Sequence, residues 1–234
     1  MIGMNRILKS TRLDFYSAGN PMITMMFYLL LNILVSFIIR NPLYALTTGA
    51  MLASTSNGSI FIIHERNHGG KLYGILPLKR HEVVIGRYIY GMIIGVINLV
   101  FAYILAFSIG VIFHMYSSFE IMNTCLPPMA AMMFIYYCLV IGTSYPMSFA
   151  MGYKSLMSIP IVLIYLMFQL FAIPFLYTMN PSSPGWFARH GQHFLMQLIN
   201  KYPLFTIGLG LIIGLAIIII SAAIACAIYK RKEI

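Results

Sequence analysis

Several stretches of this chain stay apolar for about 18 to 20 residues, the length a helix needs to cross the hydrocarbon layer of a bilayer. They run approximately over Pro21–Ile39, Leu43–Ile63, Tyr88–Met115, Pro127–Ala150, Leu156–Tyr177 and Pro203–Tyr229. No other feature restricts the fold as strongly, because a backbone in lipid has to satisfy its own N–H and C=O groups. Continuous apolar runs do so as α-helices, whereas a membrane β-barrel would alternate in segments of about ten residues. Composition agrees, with 60% apolar and only 9% charged residues, against about 25% charged in ordinary soluble domains. The expected fold is all-α: a polytopic membrane protein of six transmembrane helices, one transmembrane domain over residues 1–234.

Orientation follows from the 15 Lys and Arg. With the N-terminus inside, only Arg40, Arg189 and Lys201 fall outside, so both termini are expected to be cytoplasmic. The net charge of +10 sits at segment ends, which is this rule at work and not a nucleic-acid signature. Cys125, Cys138 and Cys226 lie in or beside spans without metal-like spacing and read as apolar filler. No signal peptide is expected, since the run from Pro21 is full length and no small-residue cleavage site follows it.

Residues 1–19 precede any span. Met4, Ile7, Leu8 and Phe15 recur near helical spacing among Arg6, Lys9 and Arg12, which suits a helix lying at the membrane interface. A basic tail that only sets orientation is the plainer reading. Within span two, Ser54 to Ser59 are small and polar and should face another helix or a pathway. Gly91 and Gly95 form a small-xxx-small pair, and Tyr116 to Leu126 reads as a polar turn holding Glu120. Pro146 should bend the end of span four. Residues 179–202 form an outward connection containing Trp186, either a helix at the exit or an interfacial anchor. His190 and His193 within it have no third metal ligand.

The polar interval 64–88 carries both signs of charge between two long apolar segments. His64, Glu65, Arg66, Asn67 and His68 spell H-E-x-x-H, which on a helix puts two imidazoles on one face with a general base. An intramembrane zinc metalloprotease would use it. The extended pattern fails, however, because Lys71 and Gly74 stand where Gly and His are needed, and Gly69–Gly70 end the helix. A helix terminus with interfacial histidines is the alternative. Leu72, Tyr73, Ile75 and Leu76 are too apolar for water and too few to span, so this turn, stopped at Pro77, wants a groove on a partner. A second helix should start near Lys79, with Glu82 in its first turn, and run into span three.

The order Glu65, Gly70, Leu72, Leu76, Pro77, Arg80, Glu82, Val83, Val84, Ile85, Gly86 and Arg87 resembles the cytoplasmic loop of ABC-2 type transporter permeases. The six-span layout, the N-terminal helix and the long last connection extend the resemblance over the whole chain. That family usually has Ser or Thr before the Arg as a helix cap, where this chain has Lys79. The resemblance implies that Lys71 to Leu76 act as a coupling helix on a cytoplasmic ABC ATPase. The ATPase-coupling set it implies is Glu65, Gly70, Lys71, Leu72, Tyr73, Ile75, Leu76, Pro77, Arg80 and Glu82. No G-x-x-x-x-G-K-[ST] loop is present, so ATP and Mg belong to a separate polypeptide, expected in two copies, and the chain itself is not an enzyme. Six spans make half a pathway, so a second permease, copy or paralogue, is implied.

Among polar residues inside spans, Asn32, Asn98, Tyr165 and Gln169 could line a cargo route, as could Tyr136, Tyr137 and Ser144; bonds between helices are the alternative. No full charge falls inside an expected span, which argues against an ion relay. By similarity to phenol-soluble modulin and bacteriocin exporters, the expected function is export of amphipathic cytolytic or antimicrobial peptides across a bacterial plasma membrane. A stand-alone immunity or scaffold membrane protein is the remaining alternative to the protease.

Overall fold

The computed structural model describes residues 2–17, 26–27, 30–34, 37–38, 45–54, 61, 79–112, 119–151 and 202–231. Every ordered element among them is helical. They comprise α1 (Ile2–Ser17), α2 (Ala45–Ser54), α3 (Arg80–Ile112), α4 (Phe119–Met151) and α5 (Pro203–Arg231), with short helical pieces around Leu30–Leu34. The loop 64–78, the fifth expected span and the connection 179–201 lie outside the described residues.

Three of these helices, α3, α4 and α5, are long and apolar enough to cross a membrane. At 33 residues, α3 and α4 are each about 50 Å long, well beyond the roughly 30 Å of a hydrocarbon core. Each therefore has turns to spare outside the lipid. In α3 these hold the first charged residues, Arg80, Glu82 and Arg87, in continuous helix with the apolar part, as the sequence leads one to expect. In α4 the outcome differs. The stretch expected as a polar turn is helical from Phe119 onward, and Pro127 and Pro128 lie inside the helix instead of starting it. A helix of 33 residues is longer than the hydrocarbon layer, so its first turns extend beyond the apolar run.

The closest packing is between α4 and α5. The face of α5 turned to α4 carries small residues, Gly210, Gly214, Ser221 and Ala225, and Ala131, Phe134, Cys138 and Gly142 of α4 lie against it. Small side chains let two backbones approach, and dispersion contacts replace the hydrophobic drive that lipid removes. The opposite face of α5 shows Leu204, Ile212, Ile219 and Ile220 outward, and α3 likewise exposes Val100 and Ile104. These described helices are apolar outside as well as inside, as suits helices that face lipid.

One bonded chain ties these three helices together. Pro146 has no N–H, so the Gly142 carbonyl one turn earlier loses its helical partner. Ser221 on α5 fills the gap, its Oγ donating to Gly142 O at 2.7 Å. That uses the only serine proton, so the 2.6 Å contact with Tyr88 on α3 has the phenol as donor. Ser221→Ala should therefore cost about 1–3 kcal/mol, by stranding a buried phenol and a buried carbonyl. In a Pro146→Ala background the loss should shrink, because the restored amide at 146 supplies the carbonyl. Chemical unfolding of the four variants in one detergent reads this directly, and equal losses in both backgrounds would rule the relay out.

Earlier, Asn32 donates to Ala45 O at 3.3 Å and accepts from the Thr48 hydroxyl, joining the first helical piece to α2. Ser54 bonds its own helix through Ala50 O and Met51 O and also reaches Tyr136 on α4. The small polar face of span two, as far as Ser54, thus faces another helix.

Candidate functional site

The first two turns of α3 meet α1, α4 and α5, together with Phe61 at the end of the second expected span. They follow directly on the loop expected to receive a partner. Their local fold begins with a cap. The Glu82 carboxylate accepts the Lys79 backbone N–H at 2.8 Å, and the Glu82 and Val83 amides return to Lys79 O at 2.9 and 3.3 Å. This is the rear arm of a capping box. Lys79 has no acceptor for the forward arm, so the substitution of Lys for Ser or Thr removes half of the cap and leaves the other half in place. One residue on, Arg80 Nη1 donates to Lys230 O at 3.1 Å, at the end of α5 where the helix dipole is negative.

A turn further, α1 crosses α3 at Gly86. A Cβ there would lie 2.7 Å from Ser10 Oγ and 2.9 Å from Ser10 Cβ, so only glycine admits this crossing. Thr11 Oγ1 bonds Gly86 O at 3.3 Å, and Phe15 meets Tyr90 edge-on with centroids 4.5 Å apart. Between them sits a buried ion pair: Arg87 Nε stands 3.9 Å from Asp14 Oδ1, with 6% and 0% of the two side chains exposed. At that separation the contact is Coulombic and not a hydrogen bond. The guanidinium is also covered by rings. Its Cζ is 4.8 Å from the centroid of Phe61 and 5.3 Å from that of Phe149, distances at which a desolvated cation gains from the ring faces. Tyr145 and Phe149 meet Phe61 edge to face, Tyr88 meets Tyr145 in the same way, and Tyr229 is tilted against Phe149.

Arginine 87 is thus held by α1 through Asp14, by the end of span two through Phe61 and by α4 through Phe149. Its neighbours Arg80 and Tyr88 reach α5. Among the described residues the arrangement is a fastening, with the α3 foot tied to each of these elements. The expectation that no full charge falls inside a span concerned residues 88–115 of this helix, and the charged residues it buries lie just before them. Arg87 and Glu82 are buried in the helix that forms span three, and Asp14 is buried against it. The apolar pattern placed the edge of the span one residue past Arg87, and an ion pair between distant segments leaves no periodic trace.

Of the expected coupling residues, Arg80 and Glu82 are described and are fastened as above. Glu65, Gly70, Lys71, Leu72, Tyr73, Ile75, Leu76 and Pro77 lie outside the described residues, as do His64, His68, Tyr165, Gln169, His190 and His193. Asn32 and Asn98 are both buried. Asn98 donates to Ile94 O of its own helix at 2.9 Å, and Asn32 joins two helices. Sequence reading missed Asp14, Phe61 and Phe149 as partners of Arg87. One signal was available: Asp14 is the sole aspartate of a chain with net charge +10.

A helical membrane protein whose membrane-length helices are fastened together beside a polar loop is the class defined so far. The chain belongs to the ABC-2 family transporter protein family, whose model matches residues 11–230. A search of curated proteins finds no match to the chain. Membership makes it a membrane-embedded transport subunit of the ABC type, a permease and not itself a catalyst, and it implies a partner ATPase in general terms. It does not favour the metalloprotease reading.

Proposed function

We propose that this chain is half of the membrane pathway of an ATP-driven exporter in a bacterial plasma membrane. Six spans with both termini cytoplasmic, a second permease alongside, and two copies of a separate ATPase complete the machine. The ATPase seats the turn Lys71–Leu76 in a groove, with Tyr73 and Leu76 as the apolar anchors. One observation carries the reading: the residues that follow this loop, Arg80 to Tyr88, are tied to α1, Phe61, α4 and α5. A push on the loop arrives at a point tied to all of these elements. The preferred cargo is an amphipathic peptide. Deformable Met- and Phe-rich surfaces, with 18 Met and 16 Phe in the chain, suit cargo that has to be repacked during passage.

Copurification tests the contact. Tyr73→Glu or Leu76→Glu should weaken ATPase binding by about 2 kcal/mol, roughly thirtyfold, as loss of a central anchor does. Unchanged recovery of the ATPase would place the contact elsewhere. ATP-dependent uptake into inverted vesicles tests the cargo. Uptake of lipid-like drugs with no uptake of amphipathic peptides would overturn that half of the proposal and leave the coupling half standing.

A further inference from the structure

We infer that anionic phospholipid headgroups bind the end of the molecule formed by α1, the start of α3 and the end of α5, and hold α1 against the α3 foot. The charge distribution is the first argument. The described acids with placed side chains, Asp14 and Glu82, are both buried and engaged inside, one with Arg87 and the other with the Lys79 amide. Lys9, Arg12, Lys79, Arg80 and Lys230 are all exposed. The Arg80 to Lys230 bond brings the beginning of α3 and the end of α5 together, so the bases of both helices share one surface.

The second argument is the inverted face of α1. It turns Ser10, Thr11 and Asp14 inward and leaves Leu8 and Tyr16 outward at 56% and 71% exposure, beside Lys9 and Arg12. Arg12 is held against Tyr16, its Nη2 donating to the phenol at 3.3 Å. Apolar side chains and bases on one exposed face suit the boundary between acyl chains and headgroups, where the stems lie in oil and the cations meet phosphate. On α5 the same end continues into the exposed Ile219, Ile220 and Ile224, so the basic surface borders a lipid-facing one. An acidic protein would match the charge but not this apolar border. The inference is independent of cargo and of the ATPase.

The test uses the full chain in nanodiscs as phosphatidylglycerol replaces phosphatidylcholine, following the thermal midpoint. The native chain should gain stability with the anionic lipid, and the gain should fall sharply on raising the salt to about 1 M, where screening acts within about 3 Å. The variant combining Lys9→Gln, Arg12→Gln, Lys79→Gln and Lys230→Gln should keep the phosphatidylcholine midpoint. Its apparent affinity for phosphatidylglycerol should drop by about fivefold for each base removed. Arg80 is spared because its guanidinium serves the fold. No gain with the anionic lipid in the native chain, or a gain that salt leaves intact, would overturn the inference. So would polyglutamate reproducing the gain in phosphatidylcholine discs, which would point to an acidic protein surface instead. The salt arm reads on the native chain alone, so a variant that folds poorly still leaves the inference exposed to failure.

Discussion

Replacing Arg87 by methionine, or Asp14 by leucine, is expected to cost about 3–5 kcal/mol of folding free energy. Each change leaves the partner's charge buried and uncompensated, and that desolvation is far more expensive than the pair is beneficial. Asp14 is 0% exposed and Arg87 is enclosed by Phe61 and Phe149, so water cannot reach either group without opening the contact between α1 and α3. The combined variant Asp14→Leu with Arg87→Met should be milder than the sum, because no orphaned charge remains; it loses the ring contacts and keeps the Gly86 crossing. Unfolding in one detergent, with all four members of the cycle, measures the coupling. Additive losses, or single losses below about 1 kcal/mol as for surface pairs, would show that the two groups do not meet in the membrane-embedded protein. Transport should follow stability only in part. Partner ATPase binding ought to survive, since the turn at 71–76 is untouched, while the foot that receives its motion is no longer fastened to α1.

The second large effect is at Gly95. A Cβ built there falls within the ring of Tyr137, whose hydroxyl bonds the Gly91 carbonyl one turn earlier on the same helix. Gly95→Ala is expected to cost about 1–3 kcal/mol through overpacking, and Gly95→Val more, since Tyr137 is fully buried and has no free volume to enter. Gly95→Ala combined with Tyr137→Leu should recover much of the loss. The control is Gly208→Ala on α5, where nothing lies within 4 Å of the added carbon. It should be neutral or stabilising by up to about 1 kcal/mol, because glycine is the poorer helix former. A tolerated Gly95→Val would mean that α3 and α4 are further apart than the Tyr137 contact implies.

These two sites differ in how visible they are in the sequence. Gly91 and Gly95 stand four apart in an apolar run, and the small-residue spacing signals that another helix comes close there. It does not say which helix, and Tyr137 could be named only once the helices were in place. The start of α3 was legible for a local reason: Glu82 falls in the first turn, where the helix dipole favours an acid, and Pro77 stops what precedes it. Pro146 was also visible, but as a bend. Its consequence, a carbonyl released to Ser221, depends on α5 passing within hydrogen-bond distance. The start of α4 was misread, because polar residues between two apolar runs suggest a turn when helix lengths beyond the bilayer are not considered.

By itself the sequence determined that this chain lives in lipid, that its elements are helices, and where α3 and α5 run. Each of those follows from hydrophobic length and local backbone chemistry, which act on neighbours along the chain. Only the tertiary structure decided that Asp14, Arg87, Phe61 and Phe149 form one buried node. Charge pairing and ring contacts act through space, and no periodicity along a chain records which distant residue will stand beside an arginine.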